Sequence, residues 1–195
     1  MKELIKKELN KFSLKLSLID NFIESVSEGL NQNGIEIWIN TVKSFTNSQT
    51  SRIIIKNIIE ETPAILRSIP QSQYLEWVKQ CYRISEVSED LSITYVNATT
   101  GVIENLKPRH LLDWGNIGLS LYRSSKNSTS LVNNFFKYSP SLCLKLNYEE
   151  LEILNDTLKR ISTRSISFSI KILDWVLKIS SICLLYTSPS PRDDE

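Results

Sequence analysis

The sequence predicts an all-α protein, a right-handed helical-repeat solenoid of the HEAT/armadillo type with units of 37–40 residues. Three observations predict it. Apolar residues return at three- and four-residue steps along almost the whole chain, with no sustained strict alternation. A four-residue apolar signature recurs at a near-constant interval, and the segments that flank each copy recur with it.

The first element is the clearest. Ile5, Leu9, Phe12, Leu16, Ile19, Ile23, Val26 and Leu30 are separated by alternating steps of four and three, the seam of a packed helix. That seam predicts one long helix over residues 3–31, with Gly34 marking the break after it. The recurring signature follows. Ile35, Trp38, Val42 and Phe45 stand at relative positions 0, 3, 7 and 10 of a helix face. The same offsets return at Tyr74, Trp77, Cys81 and Ile84, at Leu111, Trp114, Gly118 and Leu121, and at Leu151, Leu154, Leu158 and Ile161.

Upstream of the last three copies stand Ile54/Ile58/Ile59, Leu91/Tyr95/Val96 and Leu131/Phe135/Phe136, all with one spacing. Next come Thr62-Pro63, Thr99-Thr100 and Ser139-Pro140, hydroxyl residues suited to capping a new helix, with proline favoured at its first position. A short apolar turn closes each flank: Ile65 and Ile69, Val102 and Leu106, Leu142 and Leu146. One unit therefore reads as a helix, a short capped helix and a long helix that carries the tryptophan in the first three copies. No such unit can bury its apolar face alone, so neighbours must stack. The predicted organisation is a single domain over residues 1–182 with about four repeats after the first helix, and Ile172, Val176 and Leu177 resemble the start of another.

Composition sets the boundaries of function. Of 195 residues 41% are hydrophobic, enough for a real core. Lys and Arg total 23 against 22 Asp and Glu, so no global field draws the chain to nucleic acid or an anionic membrane. Only Ala64 and Ala98 represent the best helix former, which leaves the helices to be held by burial. Cys81, Cys143 and Cys183 lie far apart with no CxxC or Cys/His pairing; neither a disulfide framework nor a zinc site is signalled, and a reducing, cytoplasmic setting is expected. The most apolar stretch, residues 166–186, is interrupted by Lys171, Asp174 and Lys178, a pattern unsuited to facing lipid. No secretory signal is visible at the N-terminus.

From Cys183 the chain reads CLLYTSPSPRD and ends in Asp194-Glu195, which resembles the translation of a sequencing adaptor. Residues 183–195 are therefore expected to be a disordered or artefactual tail, with the genuine protein continuing beyond residue 182. The phrase around Trp114, with Gly118-Leu119 after it and then NNFFKYSPSLCLKL and NYEEL, resembles the helical repeats in the N-terminal half of NorD/CbbO-type activator proteins. That resemblance covers roughly residues 50–182. It implies a downstream von Willebrand factor A domain with a metal-binding DxSxS motif and cooperation with an AAA ATPase; DxSxS is absent from this chain.

Candidate chemistry is sparse. His110, the one histidine, stands where a helix begins and reads as a surface or cap residue, with no Cys or Asp positioned by the sequence to make it a base. Glu149, Glu150 and Glu152 form the densest carboxylate cluster, but acids in a first helical turn complement the helix dipole. Glu86, Glu89 and Asp90 read as a helix connection. Trp38, Trp77 and Trp114 lie on the repeating apolar face and read as core, not as stacking platforms. Lys2, Lys6, Lys7, Lys11 and Lys15 give the first helix a basic side that Glu3 and Glu8 dilute. The sequons at Asn97, Asn127 and Asn155 read as coincidences of an Asn-rich chain. No GxSxG, HExxH, GxxxxGK[ST] or GxGxxG occurs. The expectation is a non-catalytic scaffold with no catalytic, cofactor-binding or metal residues. Its partner is another protein or a downstream domain of its own chain, not nucleic acid, membrane or a small molecule. The competing expectations are a NorD-like activator scaffold and a helical enzyme using His110 or Glu149/Glu150.

Overall fold

A computed structural model describes residues 2–45, 48–126 and 128–186, with side chains as far as residue 179. Among these residues the chain is all helical: α1 Lys2–Asn10, α2 Leu16–Gly29, α3 Gln32–Ser44, α4 Gln49–Ser68, α5 Gln71–Val87, α6 Glu89–Ile103, α7 Leu111–Ser124, α8 Thr129–Cys143, α9 Tyr148–Ser162 and α10 Ile166–Tyr186. A single 3-10 turn, Pro108–His110, leads into α7. The ten helices pack together in two rows. Helices α2, α4, α6, α8 and α10 lie side by side in one, and α1, α3, α5, α7 and α9 in the other.

The core is shared between the rows and contains the residues that the periodicity selects. All sixteen signature positions are buried except Ile161, which is half-buried. The flanking triplets at Ile54, Leu91 and Leu131 are buried throughout. Trp38, Trp77 and Trp114 are fully buried, among the largest side chains of the core. Burying an aromatic of this size contributes on the order of 1.5–3 kcal/mol each by transfer alone, which is how helices poor in alanine are held.

Three expectations of local structure are corrected. The seam over residues 3–31 is two helices, not one. Backbone bonds from Lys11, Phe12 and Ser13 to Glu8, Leu9 and Asn10 close α1, and Ser13 turns with φ 54°. Phe12 stays buried while Leu16 is 68% exposed, so the alternating steps continue in sequence across a corner that no Pro or Gly announces. Gly34 does not mark a break. It lies inside α3, and its N–H is capped by the Asn31 side chain at 2.8 Å.

The short capped helices are also absent. Thr62-Pro63, Thr99-Thr100 and Ser139-Pro140 lie within α4, α6 and α8, which run through them unbroken. Their hydroxyls donate to the carbonyls of Ile58, Tyr95 and Phe135 one turn back. Bonding back satisfies a Ser or Thr inside a helix as well as capping would. The same oxygens then serve the core: the Trp77 indole N–H donates to Thr99 at 3.1 Å, the Trp114 N–H to Ser139 at 2.8 Å, and Thr62 shares a bond with the Tyr74 hydroxyl at 2.9 Å.

Gly118 and Gly115 let α7 approach its neighbours closely. A Cβ on Gly118 would collide with the Phe136 ring, and one on Gly115 would stand 2.5 Å from the Gln80 amide. At the end of its row, α10 leaves Phe168, Trp175 and Ile179 exposed. No helix among the described residues is long and apolar enough to cross a membrane. The expected tail begins inside α10, whose backbone is helical through Tyr186; residues 187–195 lie outside the described residues.

Candidate functional site

Between α7 and α9 the surface opens into a groove of about 380 Å³, within the size range of ligand sites. Asp113, Asn116, Ile117 and Ser120 form one wall from successive outward turns of α7; Tyr148, Glu152, Asn155, Asp156 and Lys159 form the other from α9. The two helices are neighbours in one row, so their outward faces meet along a shared seam. The wall from α9 is fixed by a capping box, in which Asn147 Oδ1 accepts from the Glu150 N–H and Glu150 Oε2 accepts from the Asn147 N–H.

The structure brings together residues that the sequence singled out separately. His110 stacks on Tyr148 with ring centroids 4.1 Å apart and planes 12° from parallel. Its Nε2 accepts from Arg109 Nε at 3.1 Å, which places the ring proton on Nδ1. Nδ1 is buried without a hydrogen bond, and Asp113 Oδ2 stands 3.8 Å from it, too far for one. Tyr148 donates its hydroxyl to Glu152 at 3.0 Å. Burial, the bond to Glu152 and the negative charge of Asp113 together push the phenol far above its ordinary value, so it remains a donor throughout the physiological range.

Of the acidic cluster, Glu150 is engaged by the cap and Glu152 by Tyr148, while Glu149 faces a second cavity beyond the His110–Tyr148 stack, with Lys107 and Arg109. Glu89 belongs to a different place. It accepts from the Ser48 and Ser51 hydroxyls, each at 2.9 Å, and the Ser48 bond in first place holds its carboxyl below the usual value. The N-terminal lysines are partly paired: Lys6 of α1 meets Asp20 at 2.9 Å, and Lys11, in the turn after it, meets Glu8 at 2.6 Å.

Sequence reasoning missed Asp113, Tyr148 and Asn155 as members of one site. Asn155 is only 3% exposed, stands on the groove wall and leaves Oδ1 without a hydrogen bond. A buried unpaired acceptor costs about 1–3 kcal/mol. The signal was available in the repeat: four residues after Ile35, Tyr74, Leu111 and Leu151 stand Ile39, Val78, Gly115 and Asn155, all buried, and only the last is polar.

No family model, curated protein or solved structure matches this chain. Its chemistry has to be read from the groove itself. Three carboxylates, Asp113, Glu152 and Asp156, and one lysine, Lys159, line it. Among the described residues no group of three or more His, Cys, Asp or Glu is placed to hold a metal ion. The neighbouring seams differ. Between α5 and α7 the space is closed by Gln80, which donates to Leu112 O and Asn116 Oδ1 and accepts from Tyr95. Between α3 and α5 an open groove carries Lys79, Arg83 and Glu86 beside Tyr82.

Proposed function

We propose that this chain is a non-catalytic scaffold, a right-handed HEAT/armadillo-like solenoid whose stacked helices bind another protein. One observation carries the reading: bonds between neighbouring helices recur at one sequence spacing. Asn57 donates to Asn97, Thr100 to Glu61, Thr94 to Asn133 and Ser51 to Glu89, across 40, 39, 39 and 38 residues. The Asn31 N–H donates to Gln71 across 40 in the other row. A chain that repeats its contacts at the period of its apolar signature is built by translation of one unit. Such a stack presents long, pre-organised seams that lose little entropy on docking.

The test is a peptide-display selection on the intact chain, with binding of the selected peptides mapped by hydrogen exchange. Enriched peptides that protect helix faces along one row are expected. A selection that enriches nothing above the random library overturns the scaffold reading. The resemblance to NorD/CbbO-type proteins would make the same stack the amino-terminal scaffold of an activator of an enzyme complex. Reading the gene past codon 183 tests that directly, since a DxSxS motif has to follow.

A further inference from the structure

We infer that the outward face of α10 receives an amphipathic helix of the protein partner, with bulky apolar residues along its stripe and acidic residues at its edges. The assignment rests on the scaffold reading. The repeat shows what the face lacks. Ser92 Oγ donates to Cys81 O at 2.8 Å and Ser169 Oγ to Leu158 O at 3.5 Å, and Cys81 and Leu158 hold the same place in the apolar signature. Helix α10 is therefore in register with α6. Phe168, Ile172 and Ile179 stand where α6 has Leu91, Tyr95 and Val102 and where α8 has Leu131, Phe135 and Leu142. All six of those are buried. Tyr95 stacks on Trp114 of α7 at 4.7 Å and meets Phe136 of α8 at 5.2 Å, so helices that follow α6 cover it. Among the described residues nothing covers α10 in that way: Phe168 is 52% exposed, Ile179 57% and Ile172 half-buried, with Trp175 64% exposed between them.

The shape of the face gives the class of occupant. Phe168, Lys171, Ile172 and Trp175 stand at i, i+3, i+4 and i+7, and with Asp174 and Lys178 they bound a cavity of about 170 Å³ on this one helix. Four residues so spaced form the hole into which a facing helix inserts a side chain. A strand has no row of side chains at three- and four-residue steps to match the ridges on either side. A stripe of exposed Phe, Trp and Ile is also the apolar surface on which an amphipathic helix docks.

Charge and size narrow the occupant further. Lys171 and Lys178 edge the stripe two turns apart, with Asp174 between them in sequence. None of the three makes an ion pair among the described residues. Two lysines against one aspartate favour a helix with acidic edges, whereas a second copy of this chain would only double the excess of lysine. A further unit in register is opposed by size. Lys178 stands where α4, α6 and α8 have Ala64, Gly101 and Ser141, and a Cβ on Gly101 would already lie 2.9 Å from the Cβ of Pro140 on α8. The face suits a helix set further out than α8 on α6, reaching the cavity with long side chains.

Trp175 is its own reporter, because Trp38, Trp77 and Trp114 are fully buried. The full chain is titrated with a capped Leu/Glu peptide whose leucines recur at three- and four-residue steps, and tryptophan fluorescence is followed in the presence of acrylamide. A saturable blue shift and loss of quenching are expected. Trp175→Phe should abolish that signal while calorimetry still detects binding, and a peptide of the same composition in scrambled order should not bind. Combining Lys171→Glu with Lys178→Glu, both at exposed positions, should weaken the acidic peptide about ten-fold or more and create binding of the corresponding Leu/Lys peptide, with circular dichroism unchanged. Absence of saturation by about 1 mM, equal binding of the scrambled peptide, or indifference to the charge reversal would overturn the assignment. A dimer of the free chain in which Trp175 is already shielded would overturn it in favour of a second copy. A blue shift on phosphatidylserine/phosphatidylcholine vesicles, with no binding of the acidic peptide, would do so in favour of a lipid surface. A longer chain, read past codon 183, that shields Trp175 itself would do so in favour of a further unit. If display selection enriches only peptides that bind another face, the scaffold reading survives and this assignment fails. If the acidic peptide docks on α10 but selection enriches nothing, the scaffold reading fails instead.

Discussion

Trp114 and Ser139 show how much depends on single atoms in this core. The indole N–H donates to a hydroxyl that itself donates to Phe135, so one serine oxygen closes two bonds in a site without water access. Ser139→Ala should therefore cost more than a lost methyl-sized contact, about 1–3 kcal/mol, because it leaves a buried indole donor unpaired. Trp114→Phe removes the donor as well, and the double variant should recover about 0.5–1.5 kcal/mol relative to the sum of the singles. Trp38 supplies the control: its Nε1 has no hydrogen-bond partner of normal geometry, although its N–H still favours the Tyr74 phenolate. Urea denaturation of the Trp38→Phe protein should show a loss from packing alone, smaller than that of Trp114→Phe. Equal losses would mean that the Ser139 bond contributes nothing. At this scale the apolar positions were legible, since burial imposes its own period on the sequence. The hydroxyls were misread because a Ser or Thr in such a segment can cap a new helix or bond back within an old one, and the partners that decide, Trp77 for Thr99, Trp114 for Ser139 and Tyr74 for Thr62, stand 12–25 residues away in sequence.

Among the elements, α1 is held differently from the rest. Its apolar side, Ile5 and Leu9, is fully buried, yet it is short and reaches α3 through Glu8. That carboxylate is 6% exposed, 2.6 Å from Lys11 and 3.9 Å from Lys43 on α3. The bond to Lys11 holds the Glu8 carboxyl below its ordinary 4.5, against an opposing effect of burial. The sign follows from linkage: a group with a depressed folded pKa stabilises fully above the unfolded value, and the stabilisation is lost as pH falls through the folded one. Acidification below about pH 4.5 should thus loosen α1 first. Glu8→Gln should be less stable at pH 7 and should lose less stability than the parent between pH 7 and pH 3. Parallel acid shifts in the two proteins would remove Glu8 from the account. The corner between α1 and α2 was not legible in the sequence, because the alternating apolar steps suit two short helices as well as one long one. The continuous α4, α6 and α8 were half legible: their apolar positions were right and their division was not.

For the whole molecule, the decisive question is whether stability is local or global. In two rows where each helix packs on the one two ahead of it, an interior helix has neighbours on both sides and a terminal helix on one. Helix α6 lies between α4 and α8 and also packs on α5; among the described residues α10 packs chiefly on α8 and α9, with Trp175 64% exposed. If the unit is translated, stability is close to a sum of units and nearest-neighbour interfaces, so opening begins at the ends. Native-state hydrogen exchange should then show graded protection, highest in α6, lower in α3 and α9, and lowest in α1 and α10. In a single cooperative core the slowest amides of every interior helix would instead share one opening free energy. The gradient also bears on the groove. Its walls, α7 and α9, lie toward the end of the row, and the α9 wall would be the more easily opened. Uniform protection across all ten described helices would argue against repeated, nearest-neighbour stability.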